Sequence, residues 1–492
     1  MADLQDLKSK AVTGSLWAIV EKFSLQIVQF VVGVLLARLL EPRDFGLIAM
    51  TTIFTSLSGA IMDGGFEKTL IRKQDLTPTD INSVFFVNLA LSVVMTTVLF
   101  VTAPAIAAFF KEPALVVILR VISIGLVITA LGQVQRILLM KELKFKKISV
   151  VQIASSLAGG ITGVTMAFAG YGVWALVYSA LVAQFISVIL FWIGSDWYPG
   201  LRFSWPAIRE MLPYGSRILA SSLLFFLMMQ FNNFIVGKFY AGTELGLFNR
   251  GSRLPELIIT IIDGIVLKMA FPLFSKVQDD NDQLAQVLRK TSKVVAFVAF
   301  PLLALMWVNA RDITLVLFTD KWSGSIIFLE FFCVIKLFEP FVAIYRELIL
   351  AKGYARLLLR IFLVTSAAEI ALVLAIAHLG ILYIVGATLL SKFAQYIVYQ
   401  VITARKVGLP WQNQAGWVKS YLVITLVTAL ITKTTGYALT VWGMPLFPRL
   451  VTQLATGGLL WLLLAWLARL EELSFIRTTL QLLEKKVKII PR

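Results

Sequence analysis

Only one cysteine, Cys333, and one histidine, His378, occur in 492 residues. A lone cysteine excludes an intramolecular disulfide and a cysteine-based metal cluster, and its apolar flanks predict a small packed hydrophobe. A lone histidine at the end of an apolar run excludes a histidine-rich metal centre. Charge is scarce as well. Asp, Glu, Lys and Arg make up 15% of the residues, against roughly 25% in a soluble protein. Hydrophobic residues make up 59%, and mean hydropathy is +0.85. Also missing are a Gly-rich phosphate loop ending in Lys-Ser/Thr, a His-Glu-x-x-His pair and a Gly-x-Ser-x-Gly elbow. The chain is therefore not expected to be an enzyme, to be driven by ATP on its own, or to hold a cofactor or metal.

What it has in abundance is long apolar runs. Stretches long enough to cross a hydrocarbon layer of about 30 Å fall at 14–40, 45–65, 83–103, 114–136, 149–169, 172–194, 214–240, 246–272, 294–317, 325–347, 357–378, 380–402, 420–441 and 446–468. The predicted fold class is an all-α polytopic membrane protein with about fourteen transmembrane helices. The opening "MADLQDLKSK" is polar and the run after it exceeds a signal h-region, so the first span is expected to be retained. Several spans contain Pro or Gly (Pro104, Gly125, Gly159, Gly160, Pro255, Pro301, Pro340), which bilayer helices tolerate and use as bend points.

The net charge of +17 would suggest nucleic acid on a soluble protein. Here Lys and Arg sit in short segments between spans, so anionic membrane lipid is the expected contact and nucleic acid is not. With the N-terminus inside, inner segments carry roughly three times as many Lys and Arg as outer ones, which predicts cytoplasmic termini. The outer loops are too short to build a cleft. The longer polar segments, 136–148, 195–213, 273–293 and 469–492, are all on the inner side. The last of these alternates apolar and basic residues at helical spacing and is expected to lie on the inner leaflet.

An internal repeat runs through this pattern. At an offset of 200, Arg38 meets Lys238, Asp44 meets Glu244, Gly46-Leu47 meets Gly246-Leu247, and Asp63-Gly64 meets Asp263-Gly264. Gly14-Ser15 meets Gly215-Ser216 at an offset of 201. At 210, Lys111 meets Lys321, Leu119 meets Leu329 and Arg136 meets Arg346. The expected organisation is an N-lobe over 1–200 (helices one to six), a C-lobe over 201–410 (helices seven to twelve), two further helices over 411–468 and a cytoplasmic amphipathic tail over 469–492. Six spans per copy is an even number, so both copies enter the membrane the same way, as in two-lobed transporters.

Ionisable groups inside spans are costly unless paired or hydrated, and each is a candidate site. Glu369 and Lys392 are nearly equidistant from the hairpin at 379–380, so an intramembrane ion pair is expected. Lys336 and Glu339 stand three apart on one helix face. Glu21 and Lys22 are adjacent and point apart, which leaves Lys22 a candidate for a water-filled cavity. Helix seven offers Arg217, Gln230, Asn232 and Asn233; helix eight offers Arg250, Arg253 and Asp263. Arg120 falls opposite Glu330 in the repeat. The excess of cations suits an anionic cargo such as a phosphate or diphosphate, with snorkelling or helix-end contacts as the plainer alternative for any one of them. Asp63 and Asp263 are either caps for a glycine bend or hinge elements. Glu21, Asp63, Asp263 and Glu339 are the candidates for coupling to a proton or sodium gradient.

The segments "LLARLLEPRDFGLIAM" (35–50), "MDGGFEKTLIRKQDL" (62–76), "LLMKELKFKKI" (138–148), "FPLFSKVQDDNDQL" (271–284) and "LFTDKWSGSI" (317–326) resemble the polysaccharide-transporter branch of the MOP superfamily. The similarity is to bacterial lipid-linked oligosaccharide flippases of the colanic-acid and teichuronic-acid type. The resemblance implies two six-helix lobes about a central cavity, with the last two helices bordering a groove for a lipid tail. It implies a multi-pass protein of the bacterial cytoplasmic (inner) membrane whose cargo is an oligosaccharide repeat unit on undecaprenyl diphosphate. That cargo would move to the outer leaflet by alternating access, for surface polysaccharide export. Lys22, Arg217, Arg250 and Arg253 fit its cavity cations by location, and Gln230, Asn232 and Asn233 would meet the glycan. Expected partners are that lipid, anionic lipids and the polysaccharide polymerase and export machinery, with the chain itself monomeric. A multidrug/cation antiporter of the same superfamily and a peptidoglycan-precursor flippase are the alternatives.

Overall fold

The computed structural model describes residues 2–408 and 411–473, with side chains from residue 21 onward except at 265–269, 411–413 and 415. Every regular element among them is helical, as lipid requires of a chain that must satisfy its own backbone hydrogen bonds. The helices are α1 (Ala2–Leu39), α2 (Pro42–Asp63), α3 (Phe66–Arg72), α4 (Pro78–Phe110), α5 (Leu115–Lys141), α6 (Phe145–Phe168), α7 (Val173–Gly194), α8 (Trp205–Lys276), α9 (Asn281–Val308), α10 (Ala310–Phe318), α11 (Ile326–Ile335), α12 (Glu339–Ala351), α13 (Ala355–Ile376), α14 (Ile381–Val407), α15 (Trp411–Val441) and α16 (Leu446–Leu467). A 3-10 turn, Asp320–Ser325, joins α10 to α11.

Among the described residues, 12 helices are long and apolar enough to cross a bilayer. One of them, Trp205–Gly264, has 60 residues, about 90 Å at 1.5 Å per residue, and bends at Ala241 (φ 65, ψ −178). It therefore provides two crossings. The expected span 294–317 is interrupted at Asn309, and the expected span 325–347 is broken between α11 and α12. The cause of the second break is local: Pro340 lacks the N–H that a continuing helix would need and starts α12 instead. The polytopic all-α architecture is the one that hydropathy demands. The amphipathic stretch expected at 469–492 lies, from 474 on, outside the described residues.

The chain forms two compact units, Met1–Asn249 and Arg250–Arg492, with the division inside α8. In the first unit α6 packs along α1 and α7, α4 along α5, and α5 along α7. Small residues allow this closeness. A Cβ on Gly159 would enter Ala183, and one on Gly163 would meet Ser179, so α6 and α7 pack nearly backbone to backbone. Helix starts are marked by their own chemistry. Thr77 accepts from the Asp80 N–H at 3.2 Å and Asp80 accepts from the Thr77 N–H at 3.0 Å, ahead of Pro78 at the first helical position.

The second unit has its core between α9, α12, α14, α15 and α16. Phe297 and Trp461 meet edge to face at 4.7 Å, and the Trp461 Nε1–H donates to Thr425 Oγ1 at 3.1 Å. Buried Trp322, on the 3-10 turn, anchors the end of α10 through Phe318, 6.3 Å between ring centroids.

Candidate functional site

The repeated corner is where two backbones touch. Gly242-Thr-Glu-Leu-Gly246 is a Gly-x-x-x-Gly stripe just past the Ala241 bend, and its repeat counterpart is Pro42-Arg-Asp-Phe-Gly46. A Cβ on Gly46 would run into the carbonyl of Gly242, and one on Gly246 into the carbonyl of Pro42. Residue 46 thus faces 242 while residue 246 faces 42, a reciprocal contact of the kind a two-fold relation produces. Arg43 closes over it, its guanidinium 2.7 Å from Glu112, and the other Glu112 oxygen accepts from the Gly242 N–H at 3.3 Å. Lys238 donates to the Phe109 carbonyl at 2.8 Å and lies over the Phe109 ring at 3.7 Å. At the far end of α2 a second such contact occurs. The Gly64-Gly65 turn is left-handed at both residues (φ 56 and 77), and a Cβ on Gly65 would strike the Gly215 carbonyl. The first unit therefore holds α2 against α8 at both ends through glycine, at Gly215 on the limb before the Ala241 bend and at Gly242 and Gly246 just past it.

Polar groups of the first unit fall around these contacts. Asp63 accepts from the N–H groups of Gly65 (3.2 Å) and Glu67 (3.3 Å) and from Gln133 Nε2 (2.7 Å). Arg136 pairs with Glu67 at 3.2 Å. Asp63 thus caps the glycine turn and ties it to α5. Glu21 accepts from Ser149 Oγ at 3.0 Å, and Lys22 is exposed. Arg217 is exposed and has no carboxylate partner among the described residues. Asn233 donates to Gln230 at 2.8 Å one turn away, and Asn232 is half-buried.

The second unit concentrates its charge on one helix face. Arg253, Glu256, Thr260 and Asp263 recur at spacings of three and four along α8, one side of the helix. Arg250 stacks against Phe318 and Trp322, 4.8 Å from each ring, and leaves Arg253 exposed beside it. Further along, buried Lys336 holds Glu339 through both carboxylate oxygens (2.9 and 2.7 Å) and also pairs with Glu256. Asp263 lies within electrostatic range of Glu256, Lys336, Glu339 and Arg346, and its Oδ1 is buried without a hydrogen-bond partner among the described residues. Three carboxylates therefore share Lys336, Asp263 is also within range of Arg346, and Arg346 approaches Glu347 at 3.5 Å. The repeat extends into this arrangement. Asp63 feels Arg136, and Asp263 feels Arg346, the residue that matches Arg136.

A sequence model described as "Polysaccharide biosynthesis protein" matches residues 35–327. The chain belongs to this family. It is 25% identical to the teichuronic acid biosynthesis protein TuaB of Bacillus subtilis (strain 168) over 358 residues, 72% of this chain and 74% of that one. It is also 25% identical to the lipopolysaccharide biosynthesis protein WzxC of Escherichia coli (strain K12) over 354 residues, 70% of this chain and 71% of that one. Among solved structures, the inward closed lipid II flippase MurJ superposes with a TM-score of 0.69 over 92% of this chain and 99% of its own, at 14% identity. An inward-facing MATE multidrug transporter of the MOP superfamily gives 0.60 over 78% and 94%, also at 14%. These likenesses show that the chain shares its fold with both.

In this member of the polysaccharide biosynthesis family, Lys392 Nζ lies 2.9 Å from Glu369 Oε2, on adjacent helices α14 and α13. Both side chains are mostly buried, at 27% and 16% exposure. Glu369→Gln is expected to leave a buried ammonium under-compensated and to lower the thermal midpoint of the detergent-solubilised protein. The exchange Glu369→Lys with Lys392→Glu is expected to restore most of it. A coupling energy of about 1–3 kcal/mol between the two positions is the measurement, and additive effects would exclude the pairing.

Several polar residues of this site are not legible as such in the sequence. Gln133, Ser149 and Glu112 are ordinary polar residues until packing sets them beside Asp63, Glu21 and Arg43. Glu256 sits at helical spacing from Arg253 and Asp263, and that spacing could have singled it out. Asp312 and Arg449 fall near the ends of the expected spans 294–317 and 446–468 with no spacing that relates them, yet Arg449 grips Asp312 through Nε and Nη2 at 2.7 and 2.6 Å across 137 residues.

Proposed function

We propose that this chain is a flippase that carries an undecaprenyl-diphosphate-linked oligosaccharide from the cytoplasmic to the outer leaflet of a bacterial inner membrane, for polysaccharide export. The observation that carries the reading is the polysaccharide-biosynthesis match over 35–327 on a fold shared with a lipid II flippase. Transport proceeds by alternating access, with the termini cytoplasmic, and the glycine contacts at the two ends of α2 are the surfaces that part in turn. Lys22, Arg217 and Arg253 are the cations proposed to meet the diphosphate during the cycle, and Gln230, Asn232 and Asn233 the groups proposed to meet sugar hydroxyls. The carboxylates Asp263, Glu256 and Glu339 around Lys336 supply a site where a proton or cation couples to the motion, since three anions against shared cations in a low-dielectric site favour binding one positive charge.

A drug/cation antiporter is the competing reading, and the same carboxylate cluster together with the MATE likeness favours it. Purified protein in vesicles decides between them. Translocation of a lipid-diphosphate glycan is expected, with Lys22→Ala and Arg253→Ala each reducing the rate about tenfold, the loss of one charge-assisted contact, at unchanged protein level. Movement of organic cations with the lipid untouched would replace the flippase reading. Normal rates in both variants would remove Lys22 and Arg253 from the site.

A further inference from the structure

Beyond the translocation reading, and independent of it, we infer that the second unit contains a binding site for a phosphate-class anion between α10, α15 and α16. A cavity of about 260 Å³ lies there, lined among others by Arg311, Asp312, Lys433, Thr440, Arg449 and Gln453. Three cations thus surround one carboxylate, and that carboxylate is already committed. Asp312 is 7% exposed and receives the Arg449 fork at 2.7 and 2.6 Å, while Arg449 Nη1 donates to Thr440 Oγ1 at 2.9 Å. This frame is fixed, and it leaves two positive charges at the mouth.

Arg311 and Lys433 are those charges. Both side chains are exposed, and neither makes a salt bridge among the described residues. Lys433 lies over the Trp307 ring at 5.4 Å and within electrostatic range of Glu330, without an ion pair between them. Gly436 shapes the floor. Any Cβ there would collide with the amide of Gln453, a side chain that is 5% exposed, so the glycine admits that amide to the cavity wall. The Thr440 hydroxyl is spent on the Gly436 carbonyl (2.8 Å) and on Arg449, so the Gln453 amide and the surplus of cations are what the oxygens of a phosphate would meet.

Size and depth narrow the ligand. Drug-sized pockets run from about 300 to 1,000 Å³, and this cavity, at about 260 Å³, has room for a phosphate or diphosphate group. The apolar spans end at Val308 and Val441 and begin again at Leu446, next to the cavity. Lys433 is eight residues before Val441, roughly 12 Å along the helix, within reach of headgroup depth for a snorkelling ammonium. The ligand chemistry is therefore a phosphate, carried by a lipid headgroup or free in solution. With the termini inside, the headgroup would belong to the outer leaflet.

Lys433 reports on its own pocket through its rate of acetylation by an amine-reactive reagent, read by peptide mass spectrometry on the full-length protein in detergent. Phosphatidic acid is the lipid probe and inorganic diphosphate the soluble one. With the probe bound, acetylation of Lys433 is expected to slow about tenfold, on the scale of one charge-assisted contact. Arg311→Gln should remove most of that protection and Arg311→Lys should keep it. Because Arg311 is exposed, an unchanged thermal midpoint will show that the fold is retained. Protection by phosphatidic acid alone identifies a lipid headgroup site, and protection by diphosphate identifies a soluble-anion site. Equal acetylation with and without both probes, or protection that survives Arg311→Gln intact, would overturn the assignment. Because the readout is binding, a failure of glycan translocation leaves it standing.

Discussion

Gly246→Val is expected to abolish export while the protein still reaches the membrane in normal amount. The valine side chain would have to occupy the place of the Pro42 carbonyl, with the Gly46 nitrogen 3.2 Å from its Cβ. Overpacking of this kind costs about 1–3 kcal/mol, which shifts a balanced two-state equilibrium about 5- to 150-fold toward one side. Gly65→Val should do the same at the other end of α2, against the Gly215 carbonyl. The two variants should then trap opposite arrangements. Labelling of a cysteine introduced at Arg43 should rise in Gly246→Val, and labelling of one at Ser216 should rise in Gly65→Val. The native Cys333 is 1% exposed and contributes little background. Unchanged labelling and normal transport in both would mean that the glycine contacts are static packing.

Lys336→Leu is expected to be the most destabilising single change in the second unit. The ammonium is 11% exposed and neutralises Glu256 and Glu339 at once, so its removal leaves two carboxylates against each other in lipid. Breaking a fully buried pair costs about 3–5 kcal/mol; with Glu256 and Glu339 at 43% and 30% exposure the loss should fall below that range, and it should appear as a drop in thermal midpoint. If the charge imbalance is the cause, Glu256→Gln and Glu339→Gln in the same chain should restore most of the loss, since removing a whole buried network is far milder than halving it. A Lys336→Leu protein that melts with the wild type would show that water already screens the cluster.

Much of this was readable in one dimension. Long apolar runs dictate helices because no other open structure satisfies its backbone in lipid. The hairpin at 379–380 sets Glu369 and Lys392 at equal depth, and spacing alone puts Lys336 beside Glu339. Asp63 followed by two glycines reads as a capped turn. The repeat is visible because its matches keep their order, and Asp63/Arg136 and Asp263/Arg346 show that it persists in which charges feel one another. The break before Pro340 was also written in the sequence, although hydropathy averaged over a window conceals it.

The sequence by itself determined that the chain is an all-helical polytopic membrane protein, which positions match at offsets of 200 to 210, and which charges must find local partners. All of these depend on composition and on separations of a few residues. Tertiary structure alone decided that the duplicated corners touch, residue 46 against 242 and 246 against 42, because close approach needs both glycines and neither advertises the other across 200 positions. It alone decided that Asp312 and Arg449 join across 137 residues. The strength of that contact depends on distance and burial, and the fold sets both.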